Sequence, residues 1–278
     1  MISYWRGRLN NDEQERIIFP MNRDRPVSFI TGASSGIGRS LARRIVQDEG
    51  HAVALIARRK DLLDELALEI EQAGGTALAI ECDVTDATSV RDALRTVEST
   101  LGPVTRLIAN VGGGERTDVE QFSAMHIERV FTLNVMSTAI CIEAVLPGML
   151  MRGSGHIVAM GSLAGYRGLP GAAGYSAAKA ALTNMMESLR MELRPRGVQV
   201  TLLLPGFVRS KPKRKKRPFE LELEAATARM HRAILVRKPR YAFPWPLVWI
   251  ASVCRLLPAS VYDVLLAGRG SKPRVRAE

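Results

Sequence analysis

Six short apolar runs, each followed by a segment of helical pattern or by a glycine-rich turn, constrain this chain more than any other feature. They are VSFIT (27–31), AVALIA (52–57), TALAIE (76–81), VTRLIAN (104–110), GHIVAMGS (155–162) and VQVTLLLP (198–205). The runs do not alternate polar with apolar, which is the pattern of strands covered on both faces. Helical spacing fills the intervals over 36–48, 60–73, 86–101, 123–151 and the stretch that carries Tyr175. Such alternation predicts an α/β fold: a Rossmann-like, doubly wound parallel sheet with helices on both faces. With 46% hydrophobic and 24% charged residues, the chain can fill the core this requires and is not disordered throughout. The expected division is a polar tail over 1–24, a Rossmann domain over 25–240 and an apolar, helical C-terminal extension over 241–278. The tail lacks the apolar core of a signal peptide, and Met21 is an alternative start.

The first strand ends in TGASSGIG (31–38), with Gly32, Gly36 and Gly38 between strand and helix. Glycine permits a tight turn and close approach of backbone to ligand. The helix N-terminus that follows offers free N–H groups to a pyrophosphate. The spacing is GxxxGxG rather than the GxGxxG dinucleotide fingerprint. At the end of the second strand, where an acidic residue usually meets a free ribose hydroxyl, stand Ala57, Arg58 and Arg59. A guanidinium fork suits a 2′-phosphate, so the expected cofactor is NADP(H), with Arg58 in contact. A solvated arginine pair at a strand end is the plainer alternative.

YSAAK (175–179) places Tyr175 and Lys179 four apart, on one face of a helix. A neighbouring cation favours phenolate and is expected to lower the tyrosine pKa, which suits a proton donor working near neutrality.

Together these stretches resemble the short-chain dehydrogenases/reductases, of the single-domain, NADP(H)-preferring type. The matching motifs are TGASSGIG, CDV with Asp83 and Val84, ANVGG with Asn110, LNV with Asn134, GS with Ser162, YSAAK, and PG at Pro205 and Gly206. Thirteen positions separate Ser162 from Tyr175, as is usual in that family, and the resemblance spans about 26–210. It implies interconversion of a carbonyl and an alcohol by hydride transfer. Tyr175 would be the general acid, and Lys179 would tune it and bind the nicotinamide ribose. Ser162 would hold the carbonyl oxygen, and Asn134 would anchor a water linking Lys179 to solvent. Cofactor contacts are implied for Gly32, Ser34, Ser35, Gly36, Ile37 and Gly38 in the first loop. They are implied further along for Asp83, Val84, Asn110, Pro205, Gly206 and Val208, besides Tyr175 and Lys179. The chain departs from the family's NNAG with ANVGGGERTD, which alters the loop over the nicotinamide. After PG it has FVRS, so Ser210 replaces the usual threonine only if the loop is longer.

Charge and the C-terminus bear on substrate and partners. Lys plus Arg is 39 and Asp plus Glu 28, a net +11, and RSKPKRKKR (209–217) holds seven basic residues in nine. That run falls in the expected substrate loop (207–225) and is either a solvated loop or a surface for a phosphate, a carboxylate or acidic lipid. It lacks interleaved aromatics, so nucleic acid is not an expected partner. The segment 241–267 carries Trp245, Trp249 and many aliphatics, interrupted by Arg255 and Pro258. It can lie on an anionic membrane surface or pack over the pocket or a subunit contact. Cys82, Cys141 and Cys254 are far apart, and neither they nor the four histidines have metal-ligand spacing. The expected protein is therefore metal-free, cytoplasmic or peripherally membrane-bound, and a homodimer or homotetramer by resemblance. It reduces an apolar or lipid-like carbonyl or oxidises the matching alcohol. The rival is a non-catalytic NADP(H)-binding sensor or membrane-associated scaffold of the same fold.

Overall fold

The structure, a computed structural model, describes residues 25–209 and 217–266. The tail (1–24), residues 210–216 of the basic run with Ser210, and residues 267–278 lie outside the described residues. The six expected strands form as β1 (Val27–Thr31), β2 (Ala52–Ala57), β3 (Ala77–Glu81), β4 (Val104–Ala109), β5 (Gly155–Met160) and β6 (Val198–Pro205). A further strand joins them: β9 (Arg240–Phe243) pairs parallel with β6 after a two-stranded ribbon, β7 (Val208–Arg209) with β8 (Leu221–Glu222). The main sheet is parallel with order β3-β2-β1-β4-β5-β6-β9. It thus runs through the point, 240/241, where the sequence divides domain from extension.

Burial of both faces follows from the strand sequences. Along β2, Ala52, Ala54 and Ile56 enter one core cluster, while Val53, Leu55 and Ala57 enter the other. The first cluster is roofed by α3 (Ala87–Thr100), α5 (Ser137–Met151) and α6 (Ala173–Leu193). The second lies under α1 (Gly36–Glu49), α2 (Lys60–Gln72) and α7 (Leu223–Leu235). Strand order reverses between β1 and β4, so the crevice beyond their C-terminal ends is where a ligand belongs.

The helix expected over 123–151 is α4 (Ala124–Phe131) continued into α5 through a π-helical turn, Thr132–Met136. By length and a mean hydropathy of 1.6 this helix could cross a membrane, but Cys141, Ile142, Val145 and Met149 are buried in the core. Beyond β9 come α8 (Trp245–Leu256) and α9 (Ala259–Leu266).

Candidate active site

A cleft of about 980 Å³ lies along the C-terminal ends of the strands. At one end is the glycine loop. Gly32 (φ +66°) and Gly36 (φ +55°) adopt the left-handed backbone that only glycine takes without strain. Gly32, Ser34, Ser35, Gly36 and Ile37 face the cleft. Gly38 does not: it lets α1 close on β1, since a Cβ there would stand 2.3 Å from the carbonyl oxygen of Gly32. Ser35 is the N-cap of α1 but makes no side-chain cap bond, so its hydroxyl is not committed to the first-turn amides. Asn110 holds the loop from behind. Its Nδ2 donates to the carbonyl of Thr31 (3.2 Å) and its backbone N–H donates to the Thr31 hydroxyl (3.0 Å).

At the end of β2 the two arginines divide their work. Arg59 Nη2 donates to the hydroxyls of Ser34 (2.8 Å) and Ser35 (2.9 Å). Arg58 is exposed and also lines the cleft. Asp83 Oδ1 accepts from the Thr85 amide (2.9 Å) and hydroxyl (2.7 Å). Those bonds hold its pKa below the usual carboxylate value, outweighing partial burial, with Arg58 assisting. Val84, Pro205, Gly206 and Val208 complete this wall, with Arg217 and Glu220 beside them.

Tyr175, Lys179 and Ser162 converge at the middle of the cleft. α6 presents Tyr175 and Lys179 one turn apart, and Lys179 Nζ is 5.7 Å from the Tyr175 ring centroid. Lys179 is 2% exposed and donates to the carbonyl of Met160 (2.8 Å) at the end of β5. Burial pushes its ammonium down to about 8. Ser162 caps the short turn Leu163–Gly165, its hydroxyl accepting from the Ala164 amide (3.1 Å), and it hydrogen-bonds Tyr175. The sequence leads one to expect a lowered tyrosine pKa. Burial instead raises it, and the bond to Ser162 offsets only part of that rise. Tyr175 therefore holds its proton at neutral pH, as a donor must.

Asn134 sits behind this group and is completely buried in the π turn. Its side chain is bound to backbone at both ends: Nδ2 donates to the carbonyls of Gly113 (2.7 Å) and Val130 (2.8 Å), and Oδ1 accepts from the Gly113 amide (3.1 Å). Such π turns recur at functional sites because the extra residue re-aims a side chain. The bonds fix the glycine loop that departs from the family pattern. A Cβ on Gly112 would lie 2.8 Å from Asn134 Oδ1 and 3.0 Å from Lys179 Nζ. One on Gly114 would lie 2.7 Å from the Tyr175 ring. Of the two extra glycines, Gly114 is thus required by its contact with Tyr175, whereas a Cβ on Gly113 would meet only Leu133 at 3.8 Å.

Comparison with known proteins agrees with this geometry. A family model described as short chain dehydrogenase matches residues 26–221. The chain belongs to the short-chain dehydrogenase family. An uncharacterized oxidoreductase of Myxococcus xanthus is 37% identical over 239 residues, covering 85% of this dehydrogenase and 94% of that protein. The 2-(S)-hydroxypropyl-CoM dehydrogenase 3 of Xanthobacter autotrophicus is 36% identical, over 66% of this chain and 72% of its own. Among solved structures, an alcohol dehydrogenase from Thermococcus sibiricus, complexed with 5-hydroxy-NADP, has a TM-score of 0.72 at 27% identity. That match covers 79% of this chain and 96% of the other. This short-chain dehydrogenase is accordingly an oxidoreductase of a family that binds a nicotinamide cofactor.

Of the alternatives the sequence left open for segment 241–267, packing over the pocket is met by its helices. α8 and α9 contribute Leu247, Ile250, Cys254, Tyr262 and Leu266 to the cleft. Nothing in the sequence pairs them with Ser162, because the contact joins segments more than eighty residues apart.

Proposed function

We propose that this dehydrogenase interconverts a carbonyl and an alcohol on an apolar, lipid-like substrate, with NADP(H) as cofactor. The observation that carries this is one continuous cleft, with two arginines at one end, the Ser162–Tyr175–Lys179 group in the middle and an aliphatic wall at the other. The glycine loop, the start of α1 and the donors of Ser34, Ser35 and Arg58 fit a dinucleotide's phosphates. The cofactor, when bound, supplies or accepts the hydride. Arg58 is the group suited to a 2′-phosphate, while Arg59 is held over the loop by two serines.

In the reducing direction, the Ser162 hydroxyl holds the substrate's carbonyl oxygen and the Tyr175 phenol passes it a proton. Lys179, charged below about 8, favours the phenolate that forms. Asn134 acts through Gly113, keeping the loop against Lys179 and Tyr175. Leu163, Leu169, Leu247 and Ile250 exclude water beside the reacting carbon and favour an apolar body. Family likeness supports a homodimer or homotetramer, and the free cysteines suit the cytoplasm. The outward face of α8 and α9, with Trp245, Trp249, Leu256 and Val264 exposed, supports peripheral contact with an anionic lipid surface. Failure to pellet with anionic vesicles at low salt would remove that contact.

The decisive experiment follows NADPH oxidation by the purified protein across ketones, aldehydes, 3-ketoacyl thioesters and steroids, with NADH and Tyr175→Phe alongside. Expected is turnover that prefers NADPH and disappears in the variant. Tight NADPH binding with no turnover of any carbonyl would overturn catalysis in favour of a sensor or scaffold. Equal use of NADH would overturn the arginine assignment alone.

A further inference from the structure

The family match ends at residue 221, but the cleft continues into α8 and α9. Those helices are weakly embedded: α8 has no fully buried residue, and Tyr262 is the buried residue of α9. Apolar burial therefore does little to seat them. α8 is tethered at its start by β9 and by Leu247 lying against Gly206. What seats its other end is Arg167, five residues after Ser162. Arg167 Nη1 donates to the carbonyls of Cys254 and Leu257 (2.7 Å to the second). The first is a carbonyl of the helix's last turn and the second that of its C-cap, neither met by an amide of the helix, and a cation there also meets the negative end of the dipole. The same guanidinium lies 3.9 Å from the ring centroid of Tyr262, whose hydroxyl donates to the carbonyl of Gly168 (2.6 Å). All four ties converge on residues 167–168, in the loop that begins at the site serine.

We propose that Arg167 is a specificity-determining positioning residue: it latches α8 and α9 to the Ser162 loop as the apolar far wall, and so selects carbonyl compounds with an extended apolar body over small ones. An arginine beside a carbonyl site would ordinarily be assigned to an anionic substrate. Here one nitrogen is committed to two carbonyls and the guanidinium face to an aromatic ring. The selection rests on the carbonyl–alcohol activity proposed above, whereas the latch does not, and the test separates the two.

The full chain is compared with Arg167→Ala, Arg167→Lys and Tyr262→Phe by hydrogen exchange over 245–266, and by kcat/KM with NADPH for 2-decanone, acetone and pyruvate. In Arg167→Ala, exchange in that segment should accelerate roughly tenfold or more, the scale of a lost charge-assisted bond. Its kcat/KM for 2-decanone should fall by a similar factor, chiefly through KM, while acetone changes less than about twofold. Arg167→Lys, able to reach a carbonyl but not to fork and stack, should recover part of both effects. Tyr262→Phe, which keeps the ring, should show the same pattern more weakly. Unchanged exchange would overturn the latch. Equal loss on both ketones, or loss confined to pyruvate, would overturn the specificity role. If the unmodified enzyme turns over no carbonyl, the catalytic reading fails, and accelerated exchange still supports the latch.

Discussion

The two edges of the sheet bury ionisable groups to a similar degree and use them in opposite ways. At the N-terminal edge, Glu49 receives both arms of Arg106 (2.8 and 2.9 Å) and lies 3.0 Å from His231 Nε2. His51 meets Ser28 (2.9 Å) and His156 meets Thr201 (2.9 Å). Only Arg106 Nε and His156 Nδ1 of this cluster lack a partner among the described residues. At the C-terminal edge, Lys179 is as deeply buried, yet it donates to the single carbonyl of Met160, and it faces a cleft. Charge that is mutually satisfied holds a fold together, and charge left under-satisfied beside a cavity is available for chemistry.

The contrast can be broken by exchanging the effects. Tyr175→Phe should lower kcat by about 10²–10⁴-fold, the usual worth of a positioned acid, and leave the unfolding midpoint within a degree or so of the parent. Substantial unfolding in that variant would make Tyr175 a core residue rather than an acid. Arg106→Leu should do the reverse. It strands the Glu49 carboxylate, whose side chain is 8% exposed, and should cost about 3–5 kcal/mol in urea unfolding. At a temperature where the variant stays folded, its kcat/KM should match the parent, and a selective loss of turnover would show that the two edges are coupled.

A smaller effect sharpens the site itself. Gly114→Ala places a methyl 2.7 Å from the Tyr175 ring, so either the loop or the ring must shift. A displaced acid should cost roughly tenfold in kcat, with little change in cofactor affinity. Unaltered kinetics would mean that the loop yields freely and that its glycines do not position Tyr175.

Most of the sheet was legible because its strands are buried on both faces, which leaves short unbroken apolar runs. β9 was not. RYAF is four residues long, starts with an exposed arginine and merges into an apolar tail that hides its boundary. The π turn carries no sequence period of its own, so 123–151 reads as one ordinary helix. At the site, local spacing placed Tyr175 and Lys179 on one helix face, and Ser162 came with the family resemblance. Gly114 of ANVGGGERTD reads as a departure from the motif, since the contact that demands it joins residues 114 and 175 across the fold. The raised tyrosine pKa escaped the same way. Spacing identifies a neighbouring charge, but desolvation depends on everything packed around it.

The mildest test of the two edges is pH. At the N-terminal edge, burial and the charge of Arg106 hold His51 at about 4 and His156 at about 3, against an ordinary 6.5. Burial alone would raise Glu49, but hydrogen bonds from His231 and Arg106 and the charge of Arg106 outweigh it and leave the carboxyl at about 2, against 4.5. In each case the unfolded chain takes up its proton first. The stabilisation is therefore complete above 6.5 for the histidines and above 4.5 for Glu49. It is lost as pH falls through 4 and 3 for the histidines and towards 2 for Glu49. Lys179, at the other edge, has the same sign in a more alkaline window. Its folded value of about 8 lies below the ordinary 10.5, so the cost of burying it is relieved as pH climbs between those values. Urea midpoints should accordingly fall below pH 6.5 and more steeply below 4.5, by up to about 1.4 kcal/mol per pH unit for each proton taken up. In Lys179→Met the alkaline rise should vanish while the acid limb stays, because only the cleft has lost its charge. An acid limb that flattened in the same variant would show that the two clusters titrate as one.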